Sequence, residues 1–318
     1  MKDTLKQANK ILGTKYKTWG DLWLKGTVSE EFIETFHRKV GWMRISQSQR
    51  LSEHFIEKFR DKLDWDFVCP CQILSEAFME KFQDKLVWES ISAFQVLSEA
   101  FIEKFQDKLV WESISGFQVL SEAFMEKFQD KIFWESISKH QRLSEPFIEK
   151  FQQQVIWESI CKFQPLSEKF IEKFRTNIQL DFVSKYQKVS SEFVNKHNIS
   201  IPEDCWLHKS VEFKRRQILQ TKKYILEDDY IIAYKGIRSD NYSVYSFLYQ
   251  YFVGETYTSQ CDCNINNENS FGLSAWTLKD AKRYCNQKII KVKIHLTDLG
   301  CITHTRNKLR CFKFTVVE

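Results

Sequence analysis

The chain is 318 residues long, 43% hydrophobic and 15% aromatic, which argues against disorder and provides for a large core and about two domains. No run approaches the roughly 18–20 consecutive apolar residues of a membrane span, and the opening MKDTLKQANKILGTKYK lacks the apolar centre of a signal peptide, so the sequence predicts a soluble chain that is not exported. The formal charge of +5 arises entirely within residues 201–318, and residues 281–318 alone carry +7, a distribution open to nucleic acid, to an acidic partner or to no specific partner.

In chain order, residues 1–27 read as a degenerate capping repeat that keeps the register through Trp19 but lacks the Leu-Ser-Glu start. Terminal repeats need such an atypical outer face because nothing stacks on them. Trp19, Trp42, Trp65, Trp88, Trp111, Trp134 and Trp157 then recur every 23 positions, with Leu180 continuing the series. Units begin at Val28, Leu51, Leu74, Leu97, Leu120, Leu143 and Leu166, and a weaker one at Val189. A fixed period of this length marks stacked supersecondary units that bury their apolar faces only against their neighbours.

The unit LSEAFIEKFQDKLVWESISGFQV, residues 97–119, shows what each copy should form. Ser98 is a good N-cap, and Phe101, Ile102, Phe105 and Leu109 follow at helical spacing with Glu99, Glu103, Lys104 and Lys108 on the other face. Trp111, Ile114 and Phe117 predict a second, shorter helix. The repeated Phe positions read as core, and the neighbouring Glu and Lys rows as a solvated face that neutralises itself. The expected class is mainly α, a right-handed-type α-solenoid over residues 28–204 followed by a small α+β domain over 205–318. Asn198 to Asp204, with Pro202, marks the boundary. Along the repeats one surface position reads Gln47, Pro70, Ala93, Gly116, Lys139, Lys162 and Lys185, so a row of three lysines is a candidate binding surface.

The second region predicts a helix over Val211 to Lys222, a buried strand over Tyr230 to Tyr234, an aromatic run from Tyr245 to Phe252, and a loop from Ser259 to Asn269. It continues with a helix from Leu278 to Cys285 capped by Thr277, and with strands at Ile289 to Leu296 and Leu309 to Val317. The nine cysteines, among them the pairs Cys69-Pro-Cys71 and Cys261-Asp-Cys263, match no zinc or disulfide framework, and a reduced intracellular setting is the simplest reading. His208, His295 and His304 with Cys301 and Cys311 make a Cys–His nucleophile conceivable, although a histidine beside a strand is more often structural. Phosphate-loop, dinucleotide, hydrolase and metalloprotease signatures are absent from the sequence. No catalytic residue, metal or cofactor is assigned.

The tandem Leu-Ser-Glu-x-Phe-Ile-Glu-Lys-Phe-x-Asp-Lys-x-x-Trp-x-x-Ile-Ser units resemble the repeats of uncharacterised proteins from Mimivirus-type giant DNA viruses. That likeness implies a viral product in the host cytoplasm or the virion. Ala233-Tyr234-Lys235-Gly236, Gly254-Glu255-Thr256-Tyr257 and the late Ile-Ile-Lys-Val-Lys strand are similar to a small phage and viral domain of unknown function. A weaker likeness is to ADP-ribosyltransferases. Lys235 stands where their Arg would be, Ala275 where the central Thr of Ser-Thr-Ser would be, and Glu318 closes the chain without Glu-x-Glu. This resemblance places a candidate cleft at Lys235, Arg238, Ser274, Trp276 and Thr277. The leading expectation is an adaptor that binds a host or viral protein through its repeats, without catalysis and without a membrane. The alternatives are a nucleotide-binding or ADP-ribosyltransferase-like second domain, and nucleic-acid binding through the basic end, which would weaken steeply with salt.

Overall fold

The structure is a computed structural model and describes residues 4–26, 28–244, 246–303 and 308–318. It is mainly helical, a run of regularly spaced short helices followed by a small antiparallel sheet region. The chain divides into two compact units, residues 1–114 and 115–318. The first holds only repeats, whereas the second holds the later repeats and all of the strands.

Each repeat in the first unit is built as in residues 74–94. Ser75 caps the helix Glu76–Lys81 by accepting a hydrogen bond from the Phe78 amide at 3.2 Å, which satisfies one of the orphan donors of the first turn. Phe78 and Met79 are buried on its inner face. The helix ends after six residues, and a tight turn delivers the chain to Trp88–Phe94. In the unit from Leu97, likewise, the helix stops at Lys104, and Leu109 is buried from within the turn. The second helix, at seven residues, is therefore longer than the first at six and not shorter as the sequence spacing had it.

Helices this short are unstable alone, and they are joined by a hydrogen-bond system that repeats every 23 residues. Gln95 is buried and donates to the carbonyls of Cys69 at 2.6 Å and Gln72 at 2.8 Å, while its own oxygen accepts from the Leu74 amide at 3.1 Å. Gln164 does the same in the second unit, with Ser138, Gln141 and Leu143. Ser92 accepts from the Val110 amide at 2.9 Å, and Cys69 takes the equivalent place toward Val87 at 3.4 Å. Cys69 is thus a repeat serine replaced by a weaker acceptor, while Cys71 is exposed. Trp88 packs on Phe101 and Phe105, with centroids 6.5 and 5.1 Å away. On the outside, Lys81 meets Glu57 at 2.6 Å and Lys104 meets Glu80 at 2.7 Å.

In the second unit the repeats lead through the helix Val211–Thr221 into the strands. A five-stranded antiparallel sheet runs in the order β1 (Ile225–Glu227), β2 (Tyr230–Ile237), β7 (Lys288–His295), β10 (Lys313–Val316), β5 (Thr256–Thr258). β6 (Leu273–Ala275), β9 (Leu309–Cys311) and β8 (Leu299–Ile302) form a second sheet, and β3 (Tyr242–Ser243) pairs with β4 (Ser246–Gln250). Ile231, Ala233, Val292 and Ile294 alternate inward on β2 and β7 as the period of a half-buried strand requires. The strand expected at Leu309 to Val317 is two strands in two sheets. Phe312 is the crossing point: its amide extends the β8 register to the Asp298 carbonyl at 2.8 Å, and its carbonyl accepts from the Ser259 amide at 2.8 Å in the register of β5. No helix among the described residues is long and apolar enough to cross a membrane.

Candidate functional site

Within the second unit, the connections between helices of three successive repeats face the sheets across a cleft of about 590 Å³. The repeats contribute Lys139, Arg142, Phe163 and Lys188, and the sheet region contributes Lys235, Tyr249, Tyr251, Phe271, Phe312 and Lys313. The two sides are tied together directly. The Arg142 guanidinium donates to the Thr258 carbonyl at 2.8 Å and lies over the Tyr249 ring, 5.0 Å from its centroid. Gln260 donates to the Gln164 carbonyl at 2.9 Å, joining the sheet region to the repeat hydrogen-bond system. Phe271 packs edge-on against Phe163 with centroids 4.6 Å apart.

Among the described residues, the lining carries five cationic side chains and one carboxylate, Asp298. That carboxylate is shared by Lys188 at 3.7 Å and Lys313 at 3.3 Å. Lys188 also lies 4.2 Å from the Phe312 centroid. Lys235 is the most demanding member, because only 6% of it is exposed and its ammonium donates only to the Ser274 carbonyl, at 3.2 Å, among the bonds the structure gives it. Its neighbours are the rings of Tyr251 and Trp276, 5.5 and 5.7 Å away. Burial brings its ionisation down to about 8, since a low-dielectric site disfavours the charged form. Burial, and then Lys139, likewise holds His140 below its ordinary range.

Of the residues singled out from the sequence, Lys139 and Lys235 line this one cleft. Lys162 sits at its edge, over the rings of Phe163, Tyr186 and Phe271. Ser274 serves through its carbonyl and Trp276 through its ring. The others serve elsewhere: Lys185 is outside the lining and its carbonyl accepts the Cys205 thiol, Arg238 is paired with Asp240 at 2.7 Å, and Thr277 caps the helix Leu278–Tyr284. Glu318 is exposed, pairs with Lys291 at 3.7 Å and is not among the residues lining the cleft. Cys301 and Cys311 are buried, His295 bonds Thr297, and burial holds His208 below its ordinary range, while His304 and Tyr245 lie outside the described residues. Burial holds the Cys301 thiol up at about 11. Among the described residues no group of three or more His, Cys, Asp or Glu is arranged to hold a metal ion.

Sequence reasoning passed over Arg142, Lys188 and Lys313. A signal existed for two of them: the position before each Leu-Ser or Val-Ser start reads Arg50, Ile73, Val96, Val119, Arg142, Pro165 and Lys188, basic at two of the last three copies after three apolar ones. No protein family, curated protein or solved structure matches the chain.

Proposed function

We propose that the chain is a non-catalytic adaptor whose repeats, arranged as a right-handed-type α-solenoid, scaffold a binding site for an anionic group. The observation that supports this reading is the uncompensated positive charge of the cleft. Among the described residues, Lys139, Arg142 and Lys235 face it with no carboxylate partner, and Lys188 and Lys313 share one. Lys235 is buried, and a cation held out of water is costly unless an anion meets it, while the exposed Lys139, Arg142, Lys188 and Lys313 add to the attraction for negative charge, so the arrangement favours an occupant that brings it. Exposed Ile73, Phe94 and Val96 in the first unit leave apolar surface on the repeats for a host or viral protein partner. The viral setting, in host cytoplasm or virion, accompanies the resemblance of the repeats and is proposed with it.

The test is a calorimetric titration of the full chain with inorganic tripolyphosphate at low salt. Saturable binding at one site per chain, weakened at least tenfold by Arg142→Gln together with Lys313→Gln, is the expected result. Absence of binding, or binding indifferent to those substitutions, overturns the proposal.

A further inference from the structure

We infer that the anionic occupant of this cleft is a nucleoside phosphate with two or more phosphates, an inference that rests on the anion-binding reading above. The first argument is size. A cleft of about 590 Å³ lies within the roughly 300–1,000 Å³ of sites that enclose one small organic molecule.

The second argument is how the charge is distributed. The cations come from separate elements: Lys139 from the last turn of the helix Trp134–His140, Arg142 from the connection after it, Lys188 from another connection, Lys235 from β2 and Lys313 from β10. A single compact anion satisfies one or two such groups, whereas a chain of phosphates presents oxygens to several, with Arg142 offering the planar fork that matches them. The buried Lys235 lines the same space, and the Ser274 carbonyl is the one hydrogen-bond partner its ammonium has among the described residues.

The third argument is the aromatic lining. The Tyr249 ring, beneath the Arg142 guanidinium, and Phe271, edge-on to Phe163, both line the cleft, while Tyr251, parallel to Tyr249 within 6°, is only 2% exposed. Flat faces next to cations suit a ligand that joins a planar ring to phosphates, since bases stack on such rings with little regard to sequence. An acidic peptide would answer the charge and leave the rings without a matching group.

The experiment titrates the full chain with ATP, ADP, adenosine, tripolyphosphate and octaglutamate. The expected order is ATP and ADP tightest, tripolyphosphate at least tenfold weaker, and adenosine without measurable binding. Phe271→Ala should weaken ATP at least tenfold and leave tripolyphosphate within twofold, while Arg142→Gln weakens both. Tyr249→Ala provides a second ring variant should Phe271→Ala fail to fold, as judged by circular dichroism. If tripolyphosphate or octaglutamate binds as tightly as ATP, the nucleoside inference falls and the anion-binding reading stands. If none binds, or ATP binds without loss in either variant, both fall.

Discussion

At the residue scale, the repeated glutamine decides more than its place in a polar motif implies. Gln72 donates to the carbonyls of Ser46 and Gln49, both at 2.8 Å, and accepts from the Leu51 amide at 3.0 Å. Gln72→Ala would leave those three buried groups unpaired, at a cost of about 2–3 kcal/mol, and urea denaturation should show the midpoint falling with an unchanged slope. The spacing of the glutamines was visible in the sequence, but their role was not, because a Gln beside a helix end reads as solvated until the stacking of repeats is known. Lys235 was legible only as a candidate, since its burial depends on strands brought together from distant parts of the chain. Its titration has a definite sign. With a folded-state value near 8 against about 10.4 for an unfolded lysine, the ligand-free protein gains stability as pH rises from about 8 toward 10.4. Anion binding runs the other way: it is full below about 8 and weakens above it by up to about tenfold per pH unit. Cys311 and Lys308 act on Lys235 in opposite directions. Calorimetric titration of tripolyphosphate from pH 7 to 9.5 checks this, and Lys235→Met should flatten the profile.

At the element scale, the sequence carried the helices well, because each has a serine cap and a fixed pair of buried apolar residues. It carried the strands less well. Tyr230–Ile237 and Lys288–His295 followed their alternation, but the chain after Leu309 changes sheets at Phe312, whose amide bonds Asp298 beside β8 and whose carbonyl accepts from Ser259 beside β5, which no local pattern announces. The contact of β2 with the helix Leu278–Tyr284 depends on Gly236. A Cβ placed there would lie 2.4 Å from the Cys285 carbonyl oxygen and 2.7 Å from that of Ala281. Both are backbone atoms, so the strand and the helix must separate. Gly236→Ala should therefore cost about 3 kcal/mol or more and lower the melting temperature by roughly 5 °C or more, while the equally small change Ala93→Ser on the repeats shifts it by less than about 2 °C. Equal effects from the two substitutions would show that the helix is not seated on this strand as described.

At the scale of the whole molecule, charge has two separate uses that salt can tell apart. Among the repeats it is paired: Lys58 with Glu34, Lys81 with Glu57, Lys104 with Glu80 and Lys196 with Glu172, each pair well exposed. Such pairs contribute about 0–1 kcal/mol apiece and are screened by ions, so the array is held by its Phe and Trp core and its glutamine bonds. In the cleft the cations outnumber the carboxylate and face a partly enclosed space, where attraction for an anion is strong and is lost as salt competes for the same groups. Raising sodium chloride from 50 to 500 mM should move the melting temperature by less than about 3 °C, yet weaken tripolyphosphate binding by about tenfold or more. Differential scanning calorimetry and titration calorimetry on one preparation make the comparison. A melting temperature that falls as steeply as the affinity would mean that the ion pairs, and not the buried rings, hold the repeats together. Binding indifferent to salt would mean that the cationic lining is not what holds the ligand.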